Sequence, residues 1–80
     1  TYSKTLNLYT VESSISAELE NIQKKYKKFV DIGSYPFFRL GKIGVSIVFR
    51  SSIITLINKA QKDLKDYTKK RKIKVFNLPN

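Results

Sequence analysis

Cysteine, histidine, methionine and tryptophan are all missing from the 80 residues, and glycine and proline occur only three times and twice. Without cysteine or histidine the chain can form no disulfide, can hold no metal on thiolate or imidazole, and cannot run acyl transfer through a nucleophile–histidine pair. Acids are scarce as well: six Asp and Glu stand against sixteen Lys and Arg, a formal charge of +10. No apolar run approaches the roughly 20 residues of a membrane-spanning helix, and the N-terminus lacks the apolar stretch of a signal peptide. A cytoplasmic setting is therefore expected. With no initiator methionine and Thr1 in first place, the expected origin is a piece of a longer protein.

What is present suits one small domain. The chain is 41% hydrophobic and 12% aromatic, enough to build a core at a size where roughly 60% of the unfolded surface becomes buried. Residues 4–10 place Leu6 and Leu8 on alternate positions, the period of a strand with one buried face. Ser13 and Ser14 offer N-cap hydroxyls, and Ile15, Leu19, Ile22, Tyr26 and Phe29 then recur at helical spacing. Val30 and Ile32 begin a second strand that Pro36 ends or confines to a sheet edge, because proline cannot donate to a ladder. Residues 37–42 read as a connection.

A third strand runs from Ile43 to Arg50, with Ile43, Val45, Ile47 and Phe49 on one face and Gly44, Ser46, Val48 and Arg50 on the other. It is expected at the centre of the sheet. Ser51 or Ser52 caps a second helix striped by Ile53, Ile57, Ala60, Leu64 and Tyr67, and a last strand spans 72–78 before Pro79. The order β-α-β-β-α-β over 1–80, with both helices striped on one side, predicts an α+β domain. Its four-stranded antiparallel sheet is covered on one face by two helices, ferredoxin-like or a close variant.

A charge of +10 makes nucleic acid or an anionic membrane surface the first partners to weigh. Most of it lies in Lys24-Lys25 with Lys27-Lys28, and in Lys69-Lys70-Arg71-Lys72, near the ends of the two helices. There, favourable interaction with the helix dipole accounts for it. Antiparallel helices would put the two runs at opposite ends of the domain. Both helical stripes are needed for the core, which leaves no face for a membrane. The lesser alternative is a free-standing basic nucleic-acid-binding module with the topology of an RNA recognition motif. Such modules stack bases on exposed rings of the first and third strands. Here the open face of the third strand has no ring, and only Tyr9 on the first could serve. Gly41-Lys42-Ile43-Gly44 has the GXXG spacing of KH domains but opens a strand instead of joining two helices, so a positive φ at Gly41 is its expected role.

The stretch Val30-Asp31-Ile32-Gly33-Ser34-Tyr35-Pro36 gives up strand propensity and packing at three positions, which suits a surface facing a ligand or another domain as well as a protected edge. Ile32-Gly33-Ser34-Tyr35-Pro36-Phe37-Phe38, Gly41 and the strand 44–50 resemble the small α+β domain that follows the molybdopterin-binding-like domain in CinA-like competence/damage-inducible proteins and FAD-synthase-related proteins. The resemblance includes a helix beginning near an acidic-Ser pair, here Glu12-Ser13. One departure is Arg50-Ser51-Ser52, where that family often has Gly-Arg-Asp.

The resemblance implies a non-catalytic accessory domain that docks on, or helps cover, the active site of the preceding molybdopterin-binding-like domain. It also implies a nucleotide ligand that the two could share, and pyrophosphatase chemistry that resides in the neighbour. Gly33, Ser34, Tyr35 and Pro36, with the cations Arg39 and Lys42, are the candidate contact residues. No catalytic residue, metal ligand or cofactor site is expected in this chain. Asp31 sits among apolar strand residues, and Asp63 and Asp66 are three apart on what reads as an outer helical face.

Overall fold

The computed structural model describes residues 1–76. Its elements are β1 (Tyr2–Tyr9), α1 (Ser16–Tyr26), β2 (Asp31–Arg39), β3 (Lys42–Ser51), α2 (Ile54–Arg71) and β4 (Lys74–Phe76), with 3₁₀ turns at Glu12–Ser14 and Lys27–Phe29. The sheet order is β2-β3-β1-β4, and every neighbouring pair is antiparallel. β1 and β2 are thus parallel with β3 between them, and β3 and β4 are parallel with β1 between them. This is the α+β, ferredoxin-like arrangement that the element order predicts.

One face of the sheet carries the core. Leu6 and Leu8 from β1 and Val45, Ile47 and Phe49 from β3 are essentially inaccessible and pack on Ile15, Ile22, Tyr26, Val30, Ile57, Ala60 and Leu64. The two stripes therefore hold over most of their length. They fail at their ends: Phe29 falls after α1 has closed into a 3₁₀ turn and is exposed, as is Ile53 ahead of α2, and the inward set of β3 likewise fails at the exposed Ile43.

Neither helix begins on a serine cap. The N-cap of α1 is Ile15, with no side-chain hydrogen bond, while Ser13 and Ser14 lie in the preceding turn. Burying Ile15 completely stabilises by about 1.5–3 kcal/mol, more than the ~1 kcal/mol of a hydroxyl cap, so packing sets the helix start. Ile53 is the N-cap of α2. Ser51, the last residue of β3, acts one step earlier: its Oγ accepts from the Ile53 amide and donates to the Phe29 carbonyl.

Gln23 joins α1 to β2. Its side-chain amide donates to the carbonyls of Lys27 and Val30, and its Oε1 accepts from the Ile32 amide. These bonds span a reversal in which Lys27 takes φ 53°, and they aim the chain into the edge strand.

β2 does not end at Pro36. It continues to Arg39, as an edge strand can, since an outward-facing proline nitrogen breaks no ladder bond. The expected connection at 37–42 contracts to a two-residue hairpin, Leu40-Gly41, between the paired Arg39 and Lys42. β4 starts at Lys74, two residues later than expected, with Ile73 half-buried ahead of it. The expected end at Leu78 and Pro79 lies outside the described residues.

Candidate functional site

Strand alternation divides the candidate contact residues between two surfaces. Gly33, Tyr35, Phe37 and Arg39 pair with Val48, Ser46, Gly44 and Lys42. Because Val45, Ile47 and Phe49 point into the core, this whole set points to the open face of the sheet. Ile32, Ser34, Pro36 and Phe38 point to the helix side. Gly33, Tyr35, Arg39 and Lys42 are thus brought together, and Ser34 and Pro36 are not with them.

On the helix side, Ser34 Oγ donates to Glu12 Oε1 at 2.9 Å, which ties β2 to the turn ahead of α1. Farther along, the hairpin outruns the helical layer. Val45 is fully buried, yet Ile43, two residues earlier on the same face, is 55% exposed, and its cross-strand partner Phe38 is 72% exposed. Leu40 at the tip is 84% exposed. Leu40 and Gly41 both have positive φ, 53° and 76°, the pattern of a type I′ turn. Gly41 thereby has the role expected of it. A leucine in the left-handed region costs roughly 1–2 kcal/mol that glycine or asparagine would avoid or reduce.

The open face is richer in rings than the sequence suggests. Tyr9 from β1 and Phe76 from β4 stack with centroids 4.1 Å apart, and Phe37 from β2 meets both edge-on at 6.4 and 5.8 Å. Under this end of the face Asn7 is buried, its Oδ1 accepting from Ser46 Oγ at 2.6 Å. Lys42 and Lys74 place their ammonium groups 5.2 and 6.0 Å from the Tyr9 ring centroid, within cation–π range. Tyr35, half exposed, lies along its own strand over Gly33, where a Cβ would stand only 3.0 Å from its Oη.

On the first and third strands Tyr9 is the one ring of the open face, as expected, and Tyr35 and Phe37 from β2 and Phe76 from β4 add to it. The place of Phe37 could be read only by continuing β2 past Pro36, and that of Phe76 only from the pairing of β4 with β1.

The basic helix ends stand as expected: Lys24 and Lys25 close α1, and Lys69, Lys70 and Arg71 close α2. Contacts of Lys25 with Asp63 and of Tyr67 Oη with the Ser14 carbonyl show that the helices are antiparallel, with these runs at opposite ends. Asp63 is not on an outer face. Its Oδ2 accepts from Tyr26 Oη at 2.7 Å and from Lys25 Nζ at 3.0 Å, the one ion pair among the described residues.

Partial burial, then the hydrogen bond to Asp63, push the Tyr26 hydroxyl above its ordinary pKa of 10.0. The same carboxylate, chiefly by hydrogen bonding, raises Lys25 above 10.5. A groove of about 270 Å³ beside this pair is lined by Glu18, Asn21 and Asp66 among others. Among the described residues no group of three or more acidic side chains is placed to hold a metal ion, and no helix is long and apolar enough to cross a membrane.

Residues 1–77 match the family model described as FAD synthase, middle domain. No curated protein and no solved structure matches the chain significantly.

Proposed function

Because the chain belongs to the FAD synthase middle-domain family, we propose that it serves as a non-catalytic accessory domain of a larger nucleotide-handling protein, docking through its β2–β3 hairpin. The observation that carries this reading is Leu40. It holds a strained left-handed backbone and is 84% exposed, so the isolated domain bears the cost of the residue and gains nothing from its side chain. Phe38, Ile43 and Pro36 extend the same apolar surface along the helix side of the hairpin. A second protein surface would recover that energy by burying it, as is usual where large apolar residues stand together in water.

The resemblance of 32–38 to CinA-like and molybdopterin-binding-domain proteins supports a preceding molybdopterin-binding-like domain as the neighbour. The hairpin would cover that domain's nucleotide site, and the chemistry would belong to the neighbour. Introducing Phe38→Ser with Ile43→Ser in the parent protein should loosen docking, seen as faster protease cleavage between the domains and reduced activity. Ser34→Ala, on the same helix side of the hairpin, should impair docking or activity more than folding. Unchanged cleavage and activity in both variants would overturn the reading.

A further inference from the structure

The geometry points to the open sheet face as a binding surface for single-stranded RNA or DNA, with Tyr35, Phe37 and Tyr9 as the ring track and Arg39, Lys42 and Lys74 as the phosphate contacts. This surface is the open face of the sheet, opposite the apolar helix side of the β2–β3 hairpin through which docking is proposed, and the inference stands whether or not that side docks.

Three observations converge. First, the cations here are not helix-end cations. Lys42, Lys74 and Arg39 sit on strands, where no helix dipole favours them, so the explanation that covers Lys24, Lys25 and 69–72 does not reach them. Second, they are unbalanced. None of the three makes an ion pair among the described residues, and the β1 residues on this face, Ser3, Thr5, Asn7 and Tyr9, include no acid. The nearest carboxylate by register is Asp31, at the far end of β2 opposite Arg50. Third, the rings and cations adjoin. Tyr35, Phe37 and Arg39 follow one another on one strand face, and across the sheet Tyr9 stands within reach of both Lys42 and Lys74.

Burial of Asn7 accounts for the mutual stacking of Tyr9, Phe37 and Phe76. It does not account for an exposed Tyr35 or for three cations on one face with no counter-charge among the described residues. Adjoining rings and cations on an open surface are what a single strand requires: unpaired bases stack on aromatic faces while Lys and Arg track the backbone. An extended run of rings and cations suits a strand better than a free nucleotide, which calls for a concave pocket; two grooves lined by described residues lie elsewhere, at the helices and near Thr10, Ser14, Arg71 and Ile73.

The test is fluorescence anisotropy of the protein with a labelled mixed-sequence single-stranded RNA of about 12 nucleotides. Three phosphate contacts predict about 20-fold weaker binding between 50 and 200 mM salt. Two charge-swap variants share one net charge. Lys42→Glu with Lys74→Glu should lower affinity about tenfold or more, whereas Lys28→Glu with Lys70→Glu, at the helix ends, should lower it less than about threefold. Tyr35→Ala, at an exposed ring, should cost about fivefold or more. All five positions are exposed, so circular dichroism should report an unchanged fold. Equal losses from the two charge swaps, equal affinity for a duplex of the same sequence, displacement by AMP at matched nucleotide concentration, or no binding at 50 mM salt would each overturn the assignment.

Discussion

The Phe37 ring occupies the space that a side chain at Gly44 would need: a Cβ there would stand under 3 Å from two ring carbons and 2.8 Å from the Leu8 carbonyl oxygen. Gly44 is buried on the open face of a central strand, and its lack of a side chain lets Phe37 from the edge strand reach Tyr9 and Phe76.

Gly44→Ala should therefore destabilise the fold by about 1–3 kcal/mol, as overpacking does, measured as a lower urea midpoint. Pairing it with Phe37→Ala should recover part of the loss, since the ring is the clash that can be removed. A fully additive double variant would show that the Leu8 carbonyl alone sets the cost.

Gln23→Ala should cost about 2 kcal/mol. It leaves the Lys27 and Val30 carbonyls and the Ile32 amide without their partner, and unmade bonds at half-buried groups are more costly than their net worth when made. Hydrogen exchange at the Ile32 amide should speed up in the variant. The two measurements together separate a local from a global opening.

Leu40→Asn should raise the stability of the chain by roughly 1 kcal/mol, because asparagine tolerates the left-handed region that leucine enters under strain. In the parent protein the same substitution should weaken docking. A stabilised chain with undiminished docking would place the contact elsewhere on the hairpin.

Stability should fall as pH rises above about 10. Tyr26 and Lys25 both have folded-state values raised above 10.0 and 10.5. The unfolded chain thus loses these protons first, and the contribution, fully present below the unfolded values, is lost as pH rises through the folded ones. Tyr26→Phe removes the bond to Asp63 and should flatten the tyrosine part of this decline between pH 9 and about 11. Urea midpoints across that range check it.

Ser51→Ala should destabilise by about 1–2 kcal/mol, since the buried hydroxyl serves both the Phe29 carbonyl and the Ile53 amide. Ser52→Ala, at an exposed neighbour, should be near neutral. Thermal unfolding of the pair distinguishes them.

The sequence by itself determined the element order, the two helical stripes and the inward set Val45, Ile47 and Phe49, because strand and helix periods are local properties of the chain. It determined the hairpin glycine, since only a turn calls for its φ. It also identified 32–36 as a stretch shaped by something other than strand propensity, and carried the likeness to the FAD-synthase-related family.

Tertiary structure decided the rest. Pro36 left two readings open, a strand end or a sheet edge, because proline loses a donor; only the strand order shows the edge, where that loss is harmless and the strand runs on to Arg39. That continuation set the parity of Phe37 and, with the register against β3, placed it beside Tyr9 and Phe76 from two other strands. No local pattern joins residues so far apart in sequence. Their meeting follows from strand order and pairing, which long-range hydrophobic burial selects. The helix starts moved for the same reason, because burying Ile15 outweighed the caps that Ser13 and Ser14 offered locally.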